Sequence, residues 1–256
     1  MKTIIISGGL GLLGKEFAKS LAEDKNNLIV VLDLFDKIKE NLHVNFFCDN
    51  IVGYGIDITS EYMVQETIRY VYEKYGKIDI LINCAALNPQ PKEQEDNVFE
   101  RYLLKRWKET LNVNLTGAFL LSKECIFYML KNENEGFKGT IVNVTSQLGI
   151  VSPNQSIYDN KYIKPVSYSV AASGIISLTR YLACYYGGII KVNCLIPSMV
   201  ENGQTKEFIK NVEKLIPMGR MSKKEEFNSA IKFLCSEDSS YMTGQTLVCD
   251  GGYTSW

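Results

Sequence analysis

Histidine is almost absent from this chain: there is one, His43. A Ser-His-Asp or Cys-His hydrolase would have to be built on that single imidazole. It lies in a short stretch without a nucleophile elbow, and a surface histidine is the simpler reading. No pair of the seven cysteines has C-x-x-C spacing. A zinc site is therefore not expected, and scattered thiols in apolar runs suit a reducing cytosol. Charge of one sign is also lacking. A net charge of -1 gives no electrostatic case for nucleic acid or a membrane surface as partner. No apolar run is long enough to cross a bilayer. Met1-Lys2 leads directly into a strand pattern, so no signal peptide is expected and the location expected is cytoplasmic. There is also a local absence: no lysine lies between Pro165 and Gly188.

What is present is an ordinary globular composition, 46% hydrophobic and 22% charged over 256 residues. The apolar β-branched run Thr3-Ile4-Ile5-Ile6 breaks into Ser7-Gly8-Gly9-Leu10-Gly11-Leu12-Leu13-Gly14, a strand, a glycine turn and a helix start. Gly9, Gly11 and Gly14 fit G-x-G-x-x-G, in which backbone N–H groups and a helix N-terminus can meet a pyrophosphate. Gly8, Gly11, Leu12, Leu13 and Gly14 are the residues expected to line it. Such a turn also occurs for purely structural reasons, so an acid at the right distance downstream is the deciding feature. The next strand, Leu28–Leu32, ends at Asp33, about 20 residues beyond Gly14, the interval at which a carboxylate accepts from an adenosine ribose 2′-OH. It would repel a 2′-phosphate. NAD(H) is therefore the expected cofactor, with helix capping as the alternative role for Asp33.

Strand and helix patterns alternate to the end of the chain. Strands are expected at 52–56, 78–83, 140–144, 189–196 and 247–249. Helices are expected at 61–75, from Trp107 to Leu130, from Tyr168 to Tyr186, near 208–215 and at 225–235. Thr59 or Ser60 is the expected N-cap of the first of these. No linker or repeat interrupts the alternation. The expected fold is α/β: a single doubly wound parallel sheet of Rossmann type flanked by helices, one domain over 1–256. Ligands in such sheets bind at the strand C-terminal ends. Asp33, Asp57, Asn83 and Ser146 all fall there, and the small residues after Asn83 suit a close ligand approach.

In this order the motifs resemble the short-chain dehydrogenase/reductase family over nearly the whole chain. The matching stretches are the glycine turn, Asp57-Ile58, Asn83-Cys84-Ala85-Ala86, Asn112-Val113-Asn114, Ile141 to Ser146, Val192-Asn193 to Pro197, Thr243-Gly244-Gln245 and Asp250-Gly251-Gly252. The resemblance implies hydride transfer between a nicotinamide and a secondary alcohol or ketone. Asp57, Ile58, Asn83, Ala85, Pro197 and Val200 join the expected cofactor contacts. Ser146 would hold the substrate oxygen and Asn114 would order a water in a proton relay, a structural hydrogen bond being its alternative role.

The resemblance also implies a tyrosine that moves the proton, and it has two candidates. Tyr158 lies about a dozen residues after Ser146, but Asp159, Asn160 and Pro165 come next and preclude a long helix. Tyr168 starts Tyr-Ser-Val-Ala-Ala-Ser-Gly-Ile, which resembles the family's active-site helix, and is the residue chosen. The residues at about 147–167 then form an insertion over the active site, in which Gln147, Tyr158, Asn160 and Lys161 are candidate substrate contacts. A segment at about 198–220 is a candidate lid.

The departure is Ala172, where the family's Y-x-x-x-K places a lysine. That lysine stabilises the tyrosine phenolate and holds the nicotinamide ribose. Three readings compete: an enzyme silenced at Ala172, a degenerate dinucleotide- or nucleotide-sugar-binding protein, or an enzyme in which Lys161 or Lys164 reaches in from the insertion. The intact remaining positions favour the first, an impaired dehydrogenase/reductase. The segment around Ser156-Ile157-Tyr158 and Pro165-Val166-Ser167-Tyr168 is similar to bacterial oxidoreductases of flagellin-glycan and nonulosonic-acid pathways, which implies a sugar or nucleotide-sugar substrate. The resemblance also implies a homodimer or homotetramer.

Overall fold

In the computed structural model the residues described are 1–41, 46–88, 97–133, 136–158 and 162–256. His43, Asn160 and Lys161 lie outside them. The apolar runs become strands β1 (Lys2–Ser7), β2 (Asn27–Asp33), β3 (Ile51–Gly55), β4 (Ile80–Asn83), β5 (Gly139–Val144), β6 (Ile190–Pro197) and β7 (Thr246–Cys249). They pair in parallel in the order β3-β2-β1-β4-β5-β6-β7. Every residue of β2, β4 and β6 is buried, as in largely apolar strands covered on both faces.

Helices α1 (Leu12–Leu21), α2 (Phe35–Asn41), α3 (Glu61–Tyr75), α4 (Leu104–Leu111), α5 (Ala118–Met129), α6 (Val166–Tyr185), α7 (Lys206–Glu213) and α8 (Asn228–Cys235) complete the fold. One core layer packs α3, α5 and the end of α6 against Val30, Leu81 and Ile141. The other packs α1 and α8 against Ile4, Ile29 and Val142. This is the expected doubly wound sheet. Its order reverses between β1 and β4, and that switch point is where a ligand crevice opens.

Three local differences from the sequence expectations bear on the site. The helix expected from Trp107 to Leu130 is interrupted by a π-helical segment at Asn112–Gly117. Apolar spacing does not report the looser hydrogen bonding of a π segment, so periodicity missed it. The active-site helix starts at Val166, two residues before Tyr168, because Pro165 at its N-cap ends the extended chain and its ring suits a helix entry. The helix expected from Glu225 is instead a 3-10 turn, Lys224–Phe227, leading into α8.

Candidate active site

The glycine turn is compressed between β1, α1 and the end of β4. Gly8 has φ +63°, and a Cβ there would stand 2.6 Å from the Ala85 Cα. A Cβ on Gly14 would stand 2.2 Å from the Gly8 carbonyl oxygen. Both positions are closed to any side chain, so α1 lies directly on the turn. Ser7 ties the two sides together: its hydroxyl accepts from the N–H groups of Cys84 at 3.2 Å and Ala85 at 3.4 Å. Gly11 caps α1 without a side-chain hydrogen bond, and the first turn of a helix has N–H groups without intrahelical partners. Leu12, Leu13 and Gly14 carry those groups. The cradle fits a pyrophosphate.

Asp33 is buried at the end of β2, and both of its oxygens face backbone donors. One accepts from the Leu10 N–H and the other from the Leu34 N–H, each at 2.9 Å, with Lys37 Nζ 3.6 Å away. The carboxylate thus braces the glycine turn and the start of α2, and each oxygen retains a further lone pair. Asp57 is exposed and accepts from the Thr59 N–H and hydroxyl at 2.9 and 2.8 Å, an Asx turn ahead of α3. Ser60, one of the two expected caps, receives the Met63 N–H at 3.4 Å. Ile58 is buried against Gly117 of the π segment. The Asn83 amide spends both hydrogens inside the fold, on Ser122 at 3.0 Å and Asn143 at 2.8 Å. Its side chain braces β4 against α5 and β5.

The reactive groups meet at the ends of β4 and β5. Ser146 caps a 3-10 turn, accepting the Leu148 N–H at 3.2 Å, and its hydroxyl donates to Tyr168. Burial pushes the Tyr168 phenol above its ordinary value, and the Ser146 bond pulls it down. Cys84 stands close enough to add to the upward push, and burial and Asp33 raise its own thiol to about 12. Asn114, on the π segment, clasps the chain beyond β4: its Oδ1 accepts from the Leu87 N–H at 2.7 Å and its Nδ2 donates to the Leu87 carbonyl at 3.0 Å. Ala172 is buried at 5% exposure, and its carbonyl accepts from Thr145 at 3.3 Å.

A residue outside the expected site set completes the cluster. Lys164, just ahead of α6, is 8% exposed. Its Nζ stands 4.1 Å from the centre of the Tyr168 ring and donates to the Asn88 amide oxygen. Its backbone N–H is held by Gln155 at 3.0 Å. The sequence offered it only as an alternative to Lys161 for a lysine reaching in from the insertion.

On the substrate side, the Tyr158 ring packs between Tyr162 at 4.9 Å and Phe208 of α7 at 5.5 Å. The insertion and the candidate lid therefore share one apolar cluster with Val212, Ile216 and Tyr253. Tyr158 is built into that cluster, and burial raises its phenol well above the ordinary range. Gln147 is 2% exposed, and neither end of its amide has a partner among the described residues. Pro197 ends β6 buried beside Cys249, and Val200 bridges to Ser222. Among the described residues no three His, Cys, Asp or Glu side chains group as metal ligands would, and no helix is long and apolar enough to cross a membrane.

A glycine cradle, an acid at the end of β2 and a Ser–Tyr pair beyond β5 together make up the site. The enoyl-(acyl carrier protein) reductase family description matches residues 12–254. The chain belongs to the short-chain dehydrogenase/reductase family. This family member is 30% identical to the 3-oxoacyl-acyl-carrier-protein reductase FabG of Thermotoga maritima, over 98% of the chain and 97% of the relative. It is 28% identical to an NAD-dependent glycerol dehydrogenase of Listeria innocua, over 99% and 94%. A solved short-chain dehydrogenase from Leptospira borgpetersenii, with bound NAD+, superposes with a TM-score of 0.84 at 32% identity, covering 99% of this chain and 92% of that one. The dehydrogenase/reductase fold and its oxidoreductase character are thus shared over essentially the full length.

Proposed function

We propose that the chain is an NAD(H)-dependent oxidoreductase acting on a secondary alcohol or ketone, with a sugar or nucleotide sugar as substrate. The observation that carries this is the Ser146–Tyr168 hydrogen bond, beside a glycine cradle that excludes side chains. A bound nicotinamide supplies the hydride donor or acceptor. Tyr168 moves the proton at the substrate oxygen, taking it as a phenolate in oxidation and giving it as a phenol in reduction. Ser146 holds that oxygen, and Asn114 orders the route of the proton to water. Leu12, Leu13 and Gly14 hold the pyrophosphate, and Asp33 takes the adenosine ribose hydroxyls. Pro197 and Val200 border the nicotinamide.

Preference for NAD(H) is supported by the Asp33 carboxylate, and by the NAD named for the Listeria and Leptospira relatives. A hydroxyl-rich substrate is supported by Gln147. Its buried amide is next to Ser146 and lacks both a donor and an acceptor partner. Leaving such groups unpaired costs about 1–3 kcal/mol each, which a polyol could offset. The polyol named for the Listeria relative agrees with this. The flagellin-glycan and nonulosonic-acid resemblance belongs to the same reading, as does a cytosolic location, with all seven cysteines free. A homodimer or homotetramer is part of it too, since Phe127 on α5 and the stacked pair Tyr181 and Tyr185 on α6 are exposed; light scattering on the purified chain tests that.

A second reading, a non-catalytic dinucleotide- or nucleotide-sugar-binding protein, is favoured by Ala172. Without the ammonium that a lysine at position 172 would supply, Tyr168 would lose ~10²–10⁴-fold as a general acid–base. The two readings separate when NADH absorbance is followed with keto-sugars, nucleotide sugars, dihydroxyacetone and an acetoacetyl thioester, for the chain and for Ala172→Lys. Turnover of a sugar-type substrate is expected. Turnover of the thioester alone overturns the substrate class, and no turnover by either protein despite NADH binding overturns the enzyme.

A further inference from the structure

Lys164 is a buried cation in contact with Tyr168, which hydrogen-bonds Ser146. A lysine in this position, 8% exposed, is held by its surroundings: Gln155 fixes its backbone, Asn88 takes an ammonium hydrogen and the Tyr168 ring covers its Nζ at 4.1 Å. It precedes Tyr168 by one helical turn, whereas position 172 lies one turn after it. Lys164 lies just ahead of α6 and position 172 lies within it. Position 172 offers only a methyl group.

We propose that Lys164 is a positioning residue that replaces the missing ammonium of position 172, supporting the Tyr168 phenolate from the N-terminal side of α6. The inference rests on the oxidoreductase reading above. The physical basis is that a phenolate spreads its negative charge into the ring. An ammonium over the ring face therefore favours the phenolate more than the neutral phenol. In this desolvated setting the attraction is screened little by salt. Burial lowers the Lys164 ammonium to about 8, with no opposing charge among the described residues. It is thus still mostly protonated at neutral pH. The titratable groups facing Tyr168 itself are Cys84, beyond β4, and Tyr158 of the insertion, and both are raised and uncharged at that pH. Lys164 is then the cation that balances the phenolate. Lys164 is assigned only the phenolate-supporting half of the usual lysine's work.

The test needs no substrate. Tyr168 is replaced by 3,5-difluorotyrosine in the full chain, and its ionisation is followed by fluorine NMR across pH in the parent, Lys164→Met and Lys164→Arg. A midpoint higher by roughly one pH unit or more in Lys164→Met, with Lys164→Arg close to the parent, is the result expected. An unchanged midpoint in a folded Lys164→Met protein overturns the inference and leaves Lys164 a packing residue. If Lys164→Met fails to fold, Lys164→Gln, which keeps a donor for Asn88, carries the same comparison. The substrate panel is run in parallel. A midpoint shift without turnover sustains the Lys164 inference and sinks the oxidoreductase reading. Turnover without a midpoint shift does the reverse.

Discussion

Gly14 stands directly on Gly8: a Cβ at position 14 would lie 2.2 Å from the Gly8 carbonyl oxygen and 2.8 Å from the Gly9 Cα. The obstacles are backbone atoms, which cannot swing aside as a long side chain would. Gly14→Ala must therefore lift α1 off the turn to which the pyrophosphate is assigned. Urea denaturation is expected to show a loss of ~1–3 kcal/mol, the usual cost of overpacking. NADH titration by fluorescence is expected to show about tenfold weaker binding or worse. Unaltered NADH affinity in Gly14→Ala would remove the cradle from the cofactor site.

Asp33 braces Leu10 and Leu34, and its charge is the feature assigned above to disfavour a 2′-phosphate. Asp33→Ser keeps a short acceptor and removes that charge. The ratio of NADPH to NADH affinity is expected to rise by roughly tenfold, about 1.4 kcal/mol. The parent chain should prefer NADH in the same titration, and a parent that binds NADPH more tightly contradicts the assignment of Asp33.

Asn114 both clasps Leu87 and is assigned to order water. Its two hydrogen bonds to that residue, at 2.7 and 3.0 Å, are together worth ~1–3 kcal/mol. Asn114→Ala should lose that much stability and also lower kcat per folded enzyme. Stability loss with unchanged kcat, measured on the active fraction, leaves only the structural role.

Lys164 makes stability depend on pH in an identifiable direction. Its ordinary value of 10.5 falls to about 8 in the folded chain. Between those values the unfolded chain carries the extra proton, so this residue makes stability rise with pH there. Below about 8 it costs the fold on the order of 3 kcal/mol. Lys164→Met removes the effect. The difference in unfolding free energy between Lys164→Met and the parent should therefore be largest near neutral pH and shrink towards about pH 10. Parallel pH profiles for the two proteins would contradict a buried, titrating Lys164.

The legible parts were those carried by local pattern. Strands β1, β2 and β4 are built on short runs of Ile, Leu and Val, and α3 has its serine cap, so their places are set by short stretches of chain. The glycine turn is legible for the same reason: Gly8 has φ +63° and Gly14 meets the Gly8 carbonyl only six residues back, whereas the contact of Gly8 with Ala85 is tertiary. The role of Asn83 was not legible. Its place at the end of β4 suggested a cofactor contact, yet its amide turns inward to Ser122 and Asn143, partners that lie 39 and 60 residues further along the chain. Tyr158 likewise presented a free phenol in the sequence, and only the packing of α7 shows its ring between Tyr162 and Phe208.

The sequence by itself determined the doubly wound sheet, the cofactor cradle, the acid at the end of β2 and the absence of a lysine within α6. Each depends on neighbours a few residues apart, or on a repeat of apolar spacing. Only the tertiary structure shows that Lys164, one of two alternatives in the sequence, stands over the Tyr168 ring. Lys164 is drawn to the Tyr168 ring by contacts with Gln155 and with Asn88, the latter 76 residues earlier in the chain. An ammonium acts through space on whichever ring it is packed against, and its position in the chain does not reveal which ring that is.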